Sequence, residues 1–194
     1  MSGYIGTEPT IAAAGYSDWV PLQTVVASYD SNIGFSGMNS DFDEYKFEIV
    51  GMHPGTDNVS LKWQCNSAEE TGFNETITSS AARAYLQEDH SGGAVDDRDG
   101  ENQHNGTAYE LVVDNTGGDA DQNMCAILTI YAPSSTTYHK HFVLEGTSQM
   151  SSDGQKHDWR AGYINTTNAI TEVNFKFSSG VIQTGTITMF GLGK

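Results

Sequence analysis

Basic side chains are scarce in this sequence: nine Lys+Arg stand against 25 Asp+Glu in 194 residues, a net charge of −16. Binding to DNA or RNA depends on releasing counterions to Lys and Arg, so no nucleic-acid partner is expected. An amphipathic helix lying on an anionic membrane is excluded on the same ground. Long hydrophobic runs are missing as well. The longest, Met124 to Leu128, is far shorter than the roughly 20 residues that span a bilayer, so no membrane insertion is expected. Residues Met1 to Gly6 show neither a basic n-region nor an apolar h-region, and no secretion signal is expected. Only two cysteines occur, Cys65 and Cys125, far apart and without a CxxC or Cys/His cluster. They read as small, reduced apolar residues.

What is present favours strands. Twenty-one Gly, abundant Ser, Thr and Asn, and few Lys, Arg or Leu depress helix content. Apolar residues at 37% and aromatics at 10% still suffice for a packed core. Alternation with period two recurs along the chain. Trp19 to Tyr29 reads as a strand with Val20, Leu22, Thr24 and Val26 on one face. Tyr45, Phe47 and Ile49 point inward from the next, and Val59, Leu61, Trp63 and Cys65 share a face after the turn at His53 to Asn58. Met124, Ala126, Leu128 and Ile130 alternate in another. Further strands are expected at 74–79, 83–87 (a helix over 81–88 being the competing reading), 107–114, 138–145, 159–164, 170–177 and 184–190. Eight to ten short strands joined by Gly/Asn/Ser turns predict an all-β fold, an antiparallel β-sandwich of jelly-roll type over residues 18–194. Residues 1–17 carry one charge, Glu8, and read as an extended N-terminal arm.

Charge is unevenly placed. Residues 41–121 hold 18 acids and four bases, while 122–194 hold four acids and five bases. The near-neutral half is therefore expected to pack against neighbours in a homo-oligomer, a trimer being favoured, with the acidic half facing water. The segment Glu88 to Gly106, with six acids and almost no apolar side chain, reads as a long, solvated, partly disordered loop.

Catalytic signatures are lacking: no G-x-S-x-G elbow, P-loop or H-E-x-x-H occurs, and the chain reads as a non-enzyme without cofactor. A hydrolase would need two or more acids converging in one cleft. Asp97 and Asp99, around Gly100, offer hard oxygen ligands of the kind calcium takes, but the closing carboxylate of a calcium loop is missing. His139 and His141 share a strand face and are the other candidate metal ligands; ordinary surface histidines are the plainer reading. Asn58, Asn74, Asn105 and Asn165 open Asn-x-Ser/Thr triplets and read as turn residues. Trp19 and Trp159, at strand starts beside acids, are the candidates for an exposed stacking platform, whereas Trp63 alternates with core residues.

The run Asp158-Trp159-Arg160-Ala161-Gly162-Tyr163-Ile164-Asn165-Thr166-Thr167, and the later stretch Val173 to Leu192 with its F-x-F-x-S-G-x-I-x-x-G-x-I-x-M pattern, resemble virion structural proteins of marine tailed bacteriophages, cyanophages in particular. Asp43 to Asp57, and Pro133 to Thr137 leading into Phe142, are similar to the same family. The opening Gly3 to Pro9 resembles the N-terminal arms of phage tail and receptor-binding components. The resemblance implies a tail-fibre or capsid-decoration protein in which the last hairpin closes a β-sandwich. It further implies assembly in the bacterial host cytoplasm, location in the virion, and capsid or tail proteins as partners. Tyr4, Ile5, Gly6 and Pro9 would anchor the arm. A lectin-like module recognising a cell-surface glycan is the alternative.

Overall fold

A computed structural model describes residues 18–193. The anchoring residues Tyr4, Ile5, Gly6 and Pro9 lie outside the described residues. The described chain is all β, with one short 3-10 turn at Asp99–Glu101. Its strands are β1 (Trp19–Val26), β2 (Ile33–Ser36), β3 (Phe42–Pro54), β4 (Val59–Ser67), β5 (Ile77–Gln87), β6 (Gly93–Asp97), β7 (His104–Gly106), β8 (Glu110–Thr116), β9 (Met124–Tyr131), β10 (Lys140–Met150), β11 (Gly154–Ile164), β12 (Ile170–Phe177) and β13 (Ile182–Gly193).

Every described pairing is antiparallel. The hydrogen-bonded path runs β1-β13-β3-β9-β10-β8-β4-β12-β2, and β11, β5, β6 and β7 branch from β10. The sheet curls until it nearly closes into a barrel, with β1 and β2 at the two ends of the path. Aromatic rings bridge its interior: Phe35 meets Phe47 and Phe175 at 5.4 and 6.2 Å, and Trp63 meets Phe142 edge-on at 5.0 Å. Such edge-to-face pairs add about 1 kcal/mol each beyond the burial of their apolar area. Gly146 on β10 permits the close wall. A Cβ there would lie 2.5 Å from Val113 Cγ2 of β8.

Several alternations hold as expected. Tyr45, Phe47 and Ile49 are buried, as are Leu61, Trp63 and Cys65, and Met124, Ala126, Leu128 and Ile130. In the terminal hairpin Phe175 and Phe177 share the core face, and Gly180 turns with φ 72°. Gly185, at φ 127°, sits at an irregularity in the β13–β3 register, with Met52 Cα 2.7 Å from where its Cβ would be.

Three expectations need correction. In β1 the single-face alternation fails, because a bulge between Pro21 and Gln23 switches faces. Val20, Leu22 and Val25 pack on the core, while Val26 is 70% exposed. The two strands expected at 74–79 and 83–87 are one continuous strand, β5, so the strand reading holds over the competing helix at 81–88. The largest correction concerns Glu88 to Gly106, which is folded and not a free loop. β6 pairs with Ala82 to Leu86, β7 pairs with Ile77 and Thr78, and Arg98 N–H donates to the Ala81 carbonyl at 3.1 Å. Of the segment's six acids, Asp96 and Glu101 are half-buried against Arg83, Arg98 and Arg160, while Glu88, Asp89, Asp97 and Asp99 stay exposed.

Candidate functional site

Strand β11 alternates in an unusual sense. Its inward side chains are Lys156, Asp158 and Arg160, all buried, whereas Gln155, Trp159 and Ala161 face out. The inward charges meet others from distant elements. Arg160 Nη2 lies 2.6 Å from Glu101 Oε2 and 3.6 Å from Asp158 Oδ1, and Nη1 is 3.6 Å from Glu110 Oε1. Lys156 pairs with Asp114, and Arg98 pairs with Glu101. Arg83 forks onto Asp96 at 3.3 and 3.2 Å, and Ser79 Oγ donates to Glu110 Oε2 at 2.9 Å. All three arginines of the chain are thus consumed in one network that pins the β5–β7 flap over β8.

The network has a desolvation cost. Burial raises the Asp158 carboxyl from 3.8 to about 6 against the pull of Arg160. Burial likewise pushes Glu110 up, and pushes the Lys156 ammonium down despite Asp114. Neither Asp158 oxygen accepts a hydrogen bond among the described residues. Converging acids are present, therefore, but Glu110 and Asp158 are fully buried among cations and not set in a cleft. Nothing in the alternation of β11 signals this, because its partners lie some 40 to 60 positions upstream in sequence.

The opposite face of the same strands is open. One cross-strand row reads Glu48 (β3), Ile127 (β9), Glu145 (β10), Trp159 (β11), Ala82 (β5), Asp97 (β6). Ile127, Val143 and Trp159 are 43%, 48% and 41% exposed. The Trp159 indole stacks on the His157 ring with centroids 4.1 Å apart and planes 24° apart. His157 Nε2 is in turn 2.8 Å from Glu145 Oε1, out of line for a hydrogen bond. Beside Trp159 runs a shallow trough of about 480 Å³, lined by Ala82, Asp97, Val143, Glu145 and Ala161.

The remaining sequence candidates disperse. Trp19 is half-buried beneath the Lys46 ammonium, 4.9 Å from the ring centre, and does not join Trp159. Asp97 is exposed on β6, and Asp99 Oδ1 accepts from Asn102 Nδ2 at 3.4 Å and lies 3.9 Å from His104 Nε2. His139 and His141 are both exposed, and both flank Tyr163 of β11, one stacked at 5.6 Å and the other tilted at 6.2 Å. Among the described residues no group of three or more His, Cys, Asp or Glu is arranged to hold a metal ion. Cys65 is buried and Cys125 half-buried, both free, and burial raises the Cys65 thiol well above its ordinary value. Asn58 takes a left-handed turn conformation at φ 56°, whereas Asn105, at φ 58°, lies within β7 at an irregularity of its register with β5 and is not a turn residue.

The fold and faces together define an all-β protein built on one strongly curled antiparallel sheet. No family model, curated protein or solved structure matches the chain.

Proposed function

We propose that this chain is a non-enzymatic structural component of a bacteriophage virion, a capsid-decoration or tail-fibre protein whose sheet works as a jelly-roll sandwich and whose residues 1–17 anchor it to the particle. One observation carries the reading: the chain separates its chemistry from its contact surface. The buried charged groups pair with one another inside. The exposed aliphatic and aromatic side chains on β9, β10 and β11 face out, within the segment 122–194 whose charge balance is only +1. Ile127, Val143 and Trp159 supply the apolar contact with capsid, tail or sister subunits, interspersed with the acids Glu48, Glu145 and Asp97. A trimer in which this face is covered is the expected assembly. Immunogold labelling of purified marine phage particles with antibodies against residues 18–193 tests the proposal. Gold on capsids or tails supports it. Protein present in infected cells but absent from the particles refutes it.

A second reading, a lectin-like receptor-recognition module, is favoured by the exposure of Trp159 alone. Jelly-roll sheets commonly present aromatic side chains to glycans on such outer faces. The two readings compete for this face, because a Trp159 covered by a sister subunit or by the particle is closed to a glycan.

A further inference from the structure

We propose that the trough beside Trp159 is a binding site for a neutral, hydroxyl-rich oligosaccharide, with the indole as stacking platform and Asp97 and Glu145 as hydrogen-bond acceptors at its two ends. The inference rests on the carbohydrate-binding reading above and gives it a site and a ligand class.

Three features of the surface select that ligand. First, the platform is restrained. One side of the indole stacks against the His157 ring, which restricts its rotamers while 41% of Trp159 meets solvent. A preorganised aromatic loses little side-chain entropy when a ring settles on it. Second, the neighbours are short. Ala82 and Ala161 flank Trp159 on β5 and β11, and their small side chains leave the trough of about 480 Å³ open along the indole. Its apolar floor suits the C–H face of a pyranose, as in other sites where an apolar wall carries a few placed polar groups. Third, the polar groups are acceptors. Glu145 and Asp97 stand three strand steps apart, about 14 Å at sheet spacing. Each can accept from sugar hydroxyls. Arg160 also lines the trough, but its guanidinium is buried and engaged by Glu101 and Glu110 on the inner side. No free cation is therefore left there for a carboxylate or sulfate, and the net charge of −16 repels anions at longer range.

The test uses the whole chain. Cellotetraose, maltotetraose and tetra-N-acetylchitotetraose are titrated in by calorimetry and by tryptophan fluorescence, with tetragalacturonate as the anionic probe. Trp63 is buried and Trp19 is half-covered by Lys46, so the emission change reports chiefly on Trp159. At least one neutral tetrasaccharide is expected to bind. Trp159→Ala should weaken it about tenfold or more while Trp159→Phe retains most of the affinity. Tetragalacturonate should not bind. Because Trp159 faces out, both variants are expected to keep the wild-type circular dichroism. Neutral-sugar binding that survives Trp159→Ala unchanged would move the site elsewhere and overturn this inference while leaving the glycan reading standing. Binding of tetragalacturonate as tight as that of the neutral sugars would overturn the charge argument. Failure of all the neutral sugars to bind would overturn both the inference and the reading beneath it.

Discussion

Replacing Asp158 by Asn should make the protein more stable at pH 7, although Asp158 lies within a cluster of ion pairs. Its carboxyl is fully buried, accepts no hydrogen bond among the described residues, and has its nearest cation, Arg160 Nη2, at 3.6 Å. Arg160 is meanwhile closer to Glu101, at 2.6 Å. Burial therefore outweighs attraction and lifts the titration from 3.8 to about 6. At about 1.4 kcal/mol per pH unit of displacement, holding Asp158 ionised in the folded state costs about 3 kcal/mol at pH 7. The direction follows from linkage. Below 3.8 the group is protonated whether the chain is folded or not, and the penalty is absent. As the pH rises toward 6 the folded protein retains a proton that the unfolded chain has released, and stability falls. Urea unfolding of wild type and Asp158→Asn, followed from pH 4 to pH 8, measures this. The variant's advantage should be small at pH 4, grow through the interval to about 6, and level off near 3 kcal/mol, an order-of-magnitude figure. A variant less stable than wild type by more than about 1 kcal/mol at pH 7 would show that the attraction of Arg160 and Lys156 exceeds the desolvation of the carboxylate, and would refute the reasoning.

Arg160→Met should have the opposite effect, costing about 3–5 kcal/mol at pH 7 because Glu101 and Glu110 lose their shared cation and Glu110 is left buried. Denaturant midpoints compared at pH 5 and pH 7 should show part of that loss recovered at the lower pH, since burial already raises Glu110. Gly185→Val should destabilise by about 2 kcal/mol or more, through its φ of 127° and the approach of Met52 Cα to 2.7 Å of the added Cβ. A thermal midpoint equal to wild type would show that β13 can shift there freely. EDTA should leave the melting midpoint unchanged, because Arg83, Arg98 and Arg160 tie down the 88–106 segment. A midpoint several degrees lower in EDTA would mean that an ion contributes to holding Asp97 and Asp99.

The sequence by itself determined the all-β class and most of the core. Apolar side chains repeated at every second position read directly as buried faces in β3, β4 and β9, because the period of a strand is local and burial rewards it wherever the rest of the sheet lies. The bulge in β1 was not legible, since one extra residue among Pro21, Leu22 and Gln23 reverses the faces without leaving a mark in the pattern. Only the tertiary structure decided the fate of the charges. Alternation distinguishes one side of β11 from the other but not which is the inside, and Lys156-x-Asp158-x-Arg160 looks like a solvated face until Glu101, Glu110 and Asp114 are brought against it. The same long-range pairing turned an acidic segment with the composition of a free loop into strands β6 and β7. By filling the interior beneath β11 with charge it left Trp159 facing out, because a buried charge is tolerable only beside its counter-charge, and that proximity is a property of the folded chain.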